Sequence, residues 1–190
     1  IDHFGTGETF GVRLTYSRED TILGTAGGIK ALQGFLDGDS FFVINGDVFA
    51  DIDLNHVLEF HKKKGACLTL VLRPGSERFD PIEVDSDGKI TYFMGAKNMA
   101  QITSRVIFTG IQIMSPEIFS RIPENRFCGT TDEIFPAMVK ENLPVYGYLH
   151  SGYWNDMGSP ENYLKLHRDL FDGKARSESR KVFEPPRGPL

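Results

Sequence analysis

Four consecutive apolar residues, Phe41-Phe42-Val43-Ile44, stop abruptly at Asn45-Gly46-Asp47. A strand with one wet face alternates apolar and polar side chains, whereas a run that is apolar at every position needs cover on both faces, as in a sheet sandwiched between helices. That requirement points to an α/β domain, and it places Asp47 at or just past the carboxyl end of a central strand. The neighbouring segments keep the same rhythm. Leu23-Gly24-Thr25-Ala26-Gly27-Gly28 is a glycine-rich turn that leads into the helically spaced Ile29, Leu32 and Leu36. Asp53 can cap a helix carrying Leu54, Val57, Leu58 and His61, which Gly65 closes before a strand over Cys67 to Leu72.

Other segments vary the pattern. Val12 to Ser17 alternates as a half-buried strand should. Ile82 to Asp85, a turn at Ser86-Asp87-Gly88, and Lys89 to Phe93 predict a hairpin rather than another βαβ unit. A further strand is predicted over Val106 to Met114. Helices are predicted to start at Ser115-Pro116-Glu117, at Thr131-Asp132-Glu133 and at Ser159-Pro160, the last running to about Phe171. Strands alternating with helices give a mixed, mainly parallel sheet with helices on both faces. Residues 1–172 then form one domain, and residues 173–190, rich in charge and proline but poor in core residues, form a disordered tail or linker.

Composition excludes several classes. With a formal charge of -5 and no face dense in Lys and Arg, the chain lacks the cationic footprint of a nucleic-acid binder. Its apolar stretches fall short of the about 20 residues that cross a bilayer, and no signal peptide is visible. The two cysteines, Cys67 and Cys128, lack the spacing of a zinc site or a disulfide framework, which suits a reducing cytoplasmic setting. The five histidines, at positions 3, 56, 61, 150 and 167, lack metal-ligand spacing and read as packing or surface residues. No serine or cysteine has the surroundings of a nucleophile.

In open α/β sheets ligands bind beyond the carboxyl ends of the strands. Three segments reach that edge: Gly24 to Gly28, Asn45 to Asp47, and Trp154 to Gly158. The glycine turn either serves geometry alone or lets an anion or a polar base edge approach the main chain at a helix N-terminus. Asp47 either caps the next turn or projects into the cleft as a hard oxygen ligand for Mg²⁺, and Asp156 could meet it there. Asp51 and Asp53 are better explained as turn and cap residues.

Taken together, Glu19, Leu23 to Gly28, Phe42-Val43-Ile44-Asn45-Gly46-Asp47 and Trp154-Asn155-Asp156-Met157-Gly158-Ser159-Pro160-Glu161-Asn162-Tyr163 resemble, in order and spacing, the sugar-1-phosphate nucleotidylyltransferases. That family includes enzymes such as mannose-1-phosphate guanylyltransferase and N-acetylmuramate-1-phosphate uridylyltransferase. The resemblance covers roughly residues 1–172 and implies a Rossmann-like fold of the nucleotide-diphospho-sugar transferase type. It also implies that Glu19, Gly24 and Thr25 contact the nucleotide, that Asp47 and Asp156 hold a catalytic Mg²⁺, and that Thr109, Gly110 and Lys97 lie against the sugar. The substrates would be a nucleoside triphosphate and a sugar 1-phosphate. A homo-oligomer is compatible with the sequence, which does not specify it.

Two departures accompany the resemblance. The family's N-terminal signature, a glycine-rich loop with an arginine and a following Pro-Lys, is absent, and Ile1 stands where Met would open a chain, so an upstream segment is expected. The Glu-Lys-Pro element is replaced by Met94-Gly95-Ala96-Lys97-Asn98, leaving Lys97 as its one stand-in. A non-catalytic sugar-nucleotide-binding regulatory module is the rival reading, and retention of both Asp47 and Asp156 favours the enzyme. A dinucleotide-dependent dehydrogenase fits poorly, because Gly24-Thr25-Ala26-Gly27-Gly28 has the wrong glycine spacing.

Overall fold

The glycine turn opens α1 (Gly24–Ala31), and after a break at Leu32 the chain adds the short α2 (Gln33–Leu36). The computed structural model describes residues 1–74, 82–93, 96–97 and 104–176 of the chain. The apolar run forms β1 (Phe41–Ile44), and the residues after Asp47 form β2 (Val48–Ala50). Asp53 caps α3 (Leu54–Lys64) by accepting the Asn55 amide at 2.8 Å, and Gly65, at φ 56°, ends it in the left-handed conformation that glycine adopts without strain.

After β3 (Leu68–Pro74) comes the expected hairpin, β4 (Ile82–Val84) and β5 (Ile90–Phe93). Its turn is fixed by the Asp85 carboxylate, which accepts the amides of Asp87 and Lys89, each at 2.9 Å. Then follow β6 (Ala96–Lys97) and the long β7 (Ser104–Met114). Ser115-Pro116 opens a 3₁₀ turn over Pro116–Arg121, and the next start signal gives a π-turn over Thr130–Ile134 that runs into α4 (Phe135–Lys140). The chain continues through β8 (Val145–Leu149) and β9 (Trp154–Asp156) to α5 (Pro160–Phe171), whose cap Ser159 accepts the Asn162 amide at 3.2 Å. Of the expected tail, residues 177–190 lie outside the described residues.

The large sheet runs β6-β5-β4-β7-β3-β8, with β1 also on β7, while β2 and β9 form a separate two-stranded ladder. Along one edge of β7, Val106 faces Ile82 of β4 and the final residues face β1, with Ile111 opposite Ile44. Its other edge carries β3. Side chains along β3 alternate between two cores with the two-residue period of a strand. Leu68, Leu70 and Leu72 pack with Ala26 and Ile29 of α1 and with Phe135 and Met138 of α4, whereas Val71 joins Val57 of α3 and Ile111 and Ile113 of β7. Helices therefore cover both faces, as the α/β reading requires.

Pairing corrects one part of that reading. The sheet is mixed, but its ladders are mainly antiparallel, and β3 with β8 is the parallel pair among the described strands. The physical reason is the hairpin insertion, which returns the chain as β7, reversed, between β1 and β3. The expected direction survives: β1 and β3 both oppose β7, so β1, β3 and β8 run the same way. Val12 to Ser17 forms no strand. Alternation gives it a face, but a strand also needs a partner for its backbone groups, and here Val12 is 52 % exposed and Tyr16 41 % exposed.

Candidate functional site

Gly24 begins α1 at φ 74°, and a Cβ there would stand 2.6 Å from the Cys128 carbonyl oxygen. That carbonyl accepts the amides of Ala26 at 3.0 Å and Gly27 at 3.3 Å, so these first-turn donors are committed to the Cys128 loop rather than open to an anion. Thr25 is tied to the same loop, its hydroxyl accepting the Thr130 amide at 2.9 Å and lying 3.0 Å from the Thr130 hydroxyl. Glu19 accepts the Leu23 amide at 3.0 Å, and its other oxygen lies where a Gly28 side chain would begin. Glu19, Gly24 and Thr25 thus gather around one helix start, with Glu19 and Thr25 exposed.

The two aspartates also meet. Asp47 enters β2, which pairs antiparallel with β9 so that Val48 stands opposite Asp156. The Met157 amide donates to the Asp47 carbonyl at 2.7 Å and extends the ladder by one bond. Gly158 donates its amide to Asp156 Oδ1 at 2.7 Å. A Cβ on Gly158 would lie 2.9 Å from that oxygen and 3.6 Å from Asp47 Oδ2, so both carboxylates flank the same side-chain-free position. Neither has a cationic partner among the described residues. Two neighbouring carboxylates without a counter-charge repel each other, and a hard divalent cation is the group whose oxygen preference matches them. The described residues hold no cluster of three or more His, Cys, Asp or Glu, so further ligands would come from substrate oxygens and water.

Thr109 and Gly110 hold the two aspartate segments in place. The Thr109 hydroxyl, buried, donates to the Val71 carbonyl at 2.8 Å, and the Thr109 carbonyl accepts Trp154 Nε1 at 2.9 Å. Gly110, at φ 82°, accepts the Asn45 amide at 2.9 Å, and a Cβ on it would meet Asn45 Nδ2 at 2.9 Å. The pair therefore fixes Asn45 ahead of Asp47 and Trp154 ahead of Asp156. The Thr109 hydroxyl faces the strand interior, and Gly110 is itself buried against Asn45 and Val48. The backbone of Lys97 lies opposite Tyr92 in β6, and its side chain falls outside the described residues. Asp51 does more than turn the chain: its Oδ1 stands 3.2 Å from His150 Nε2 beneath Gly152.

Beside Asp156 opens a cleft of about 760 Å³ whose walls include Arg73, Trp154, Asn155, Ser159 and Lys165. Sequence reasoning missed both cations. Arg73 is the polar residue that ends the apolar β3, and Lys165 lies on the polar face of α5, signals too common to single them out. Lys165 pairs with Asp169, which also accepts the Tyr153 hydroxyl at 2.7 Å. Hydrogen bonds from Lys165 and then Tyr153 hold the Asp169 carboxyl below its ordinary pKa, and the bond to Asp169 raises that of Lys165.

Paired carboxylates at strand ends on the rim of an α/β sheet have the chemistry to hold a divalent cation against ligand oxygens. The family model for nucleotidyl transferases matches residues 1–173, and the chain belongs to that family. It is 34 % identical over 177 residues to a mannose-1-phosphate guanylyltransferase of Mycobacterium tuberculosis, a match covering 92 % of this chain and 49 % of that one. It is 30 % identical over 190 residues to a UTP-glucose-1-phosphate uridylyltransferase of Synechocystis sp., again covering 92 % and 49 %. The chain spans about half the length of the curated relatives it matches. The crystal structure of HddC from Yersinia pseudotuberculosis complexed with GMP-PN superposes with a TM-score of 0.66 at 22 % identity, covering 83 % of this chain and 67 % of that one. A sucrose complex of a Bacillus anthracis protein assigned as a glucose-1-phosphate thymidylyltransferase gives 0.72 at 22 % identity, covering 95 % and 73 %. These structures share the fold.

Proposed function

We propose that the protein transfers a nucleotidyl group from a nucleoside triphosphate to a sugar 1-phosphate, giving a nucleoside-diphosphate sugar and pyrophosphate. The observation that carries this reading is the placement of Asp47 and Asp156 on either side of Gly158, in a chain of the nucleotidyl transferase family. An oxygen of the sugar phosphate attacks the α-phosphorus, the bond from that phosphorus to the bridging oxygen breaks, and pyrophosphate leaves. Such a reaction needs positioning and charge neutralisation rather than a protein nucleophile. Asp47 and Asp156 would hold Mg²⁺, which when bound supplies positive charge beside the phosphate oxygens. Glu19 and the Gly24-Thr25 turn receive the nucleotide, with the exposed Glu19 carboxylate accepting from the base edge. Gly110 and Lys97 border the sugar.

Residues 1–172 form the transferase domain in this reading, and 173–190 a tail or linker. No helix among the described residues is long and apolar enough to cross a membrane. A cytoplasmic setting belongs to the same proposal. The relatives are transferases by name, which supports the enzyme over a regulatory binding module. The test is pyrophosphate release from a panel of nucleoside triphosphates and hexose 1-phosphates. Asp47→Asn and Asp156→Asn should each lower Mg²⁺-dependent turnover by about a hundredfold or more, as loss of several kcal/mol of charge stabilisation requires. Near-unaltered turnover in both variants would overturn the assignment.

A further inference from the structure

Arg73 reaches the cleft from the end of β3, and its guanidinium carbon stands 5.2 Å from the centroid of the Trp154 ring. Cation–π attraction to an indole face positions a guanidinium without using its N–H donors. The indole is itself anchored, by its Nε1 bond to Thr109 and by its place opposite Ala50 in the β2–β9 ladder. Among the described residues, the Arg73 donors have neither a hydrogen bond nor an ion pair. The half-buried Lys30 and Lys64 differ in this, being paired with Glu124 and Asp87, and the exposed Lys165 on the wall of the same cleft is paired with Asp169. A half-buried guanidinium with its planar fork aimed at no protein acceptor is pre-organised for an external oxyanion, which it binds through two parallel hydrogen bonds. The cleft, at about 760 Å³, is within the size range of small-molecule sites, and Asp156 lies on its wall.

We propose that Arg73, held over Trp154, is a specificity-determining residue that grips an oxyanion carried by the sugar substrate. The inference rests on the transferase reading and adds to it the demand that the hexose carry a phosphate or carboxylate within reach of β3. Two sources share that chemistry, the 1-phosphate on which the reaction depends and a carboxylate at the 6-position.

Trp154 is the sole tryptophan of the chain, so its fluorescence reports directly on the cleft. The protein, Arg73→Gln and Arg73→Lys are titrated, in the presence of Mg²⁺, with hexose 1-phosphates, hexuronic acids and the corresponding neutral hexoses. Loss of a charge-assisted pair should weaken binding of the anionic hexose by about tenfold to a hundredfold in Arg73→Gln, with Arg73→Lys intermediate and neutral hexoses unaffected. A merely structural role for Arg73 would weaken neutral and anionic sugars alike. In turnover, Arg73→Gln should raise the KM for the sugar phosphate and leave that for the nucleotide unchanged. Discrimination confined to 1-phosphates assigns the phosphate as the anion, and discrimination confined to uronates assigns the carboxylate. Equal affinity of the protein and Arg73→Gln for every anionic hexose, alongside pyrophosphate release that depends on Asp47 and Asp156, overturns this proposal alone. Absence of both sugar binding and pyrophosphate release in the unaltered protein overturns the transferase reading with it.

Discussion

Gly158 matters for what it lacks. Its amide orients Asp156 Oδ1, and the space a side chain would take is bounded by both aspartates, with the nearer oxygen 2.9 Å from an ideal Cβ. A methyl there must push Asp156 aside, yet it meets carboxylates at an open rim rather than packed core. Gly158→Ala should therefore weaken Mg²⁺ binding by about tenfold, the equivalent of one lost hydrogen bond to a charged group, while the urea midpoint hardly moves. Calorimetric titration of Mg²⁺ into both proteins checks this, and unchanged metal affinity would remove the carboxylate pair as the metal site. Gly24 presents the opposite case. Its φ of 74° and the Cys128 carbonyl oxygen at 2.6 Å from a notional Cβ make it a backbone requirement, so the glycine-rich turn serves fold geometry whatever it does for a nucleotide.

At the scale of elements, α3 is fastened to the sheet by His61. The ring, 2 % exposed, lies 2.9 Å from the Thr69 hydroxyl through Nδ1 and 3.0 Å from the Ser115 hydroxyl through Nε2, so one helix residue meets β3 and the turn after β7. Burial lowers its pKa, Glu117 raises it by a smaller amount, and Lys62 lowers it. The unfolded chain then takes up the proton first as pH falls. The stability that neutral His61 contributes is complete above about pH 6.5, the ordinary histidine value, and is lost as pH falls from there toward the depressed folded value. Urea midpoints measured between pH 7.5 and 5 should decline, and His61→Gln, less stable at pH 7.5, should show a shallower decline. Identical slopes would place the pH dependence elsewhere. The alternation of β1, α3 and β3 was legible because each carries its own signals: an unbroken apolar run, the Asp53 cap, the Gly65 stop. Strand direction and partnership were not, since they are settled between segments far apart in the chain. Hence β7 reversed the expected pairing, and Val12 to Ser17 had a strand's alternation without a strand to join. The same limit hid part of the site. Asp47 and Asp156 stood out at strand ends, whereas the freedom of Arg73 and the confinement of the Thr109 hydroxyl depend on through-space partners that no local pattern reveals.

Across the whole molecule, the candidate site draws on segments around positions 47, 73, 109 and 156, so its geometry depends on the packing that joins them. Phe135 is central to that packing. It is 0 % exposed, its ring is edge-on to Phe93 of the hairpin at 5.8 Å and to Phe108 of β7 at 6.4 Å, and it closes α4 over the face of the sheet opposite α3. Phe135→Ala opens a cavity among three elements and should cost about 3–5 kcal/mol, a large fraction of the stability of an ordinary domain. Trp154 offers the second probe, because it sits in the separate β2–β9 ladder and touches the large sheet through Thr109 and Arg73. If residues 1–172 fold as one unit, unfolding followed by Trp154 fluorescence and by far-ultraviolet circular dichroism should give coincident transitions, both moved to lower urea by Phe135→Ala. A fluorescence transition that keeps its midpoint while the dichroism transition shifts would mean that the ladder carrying Asp156 unfolds separately from the main core. In that case the site's rigidity would have to come from the ladder itself and its bound ligands.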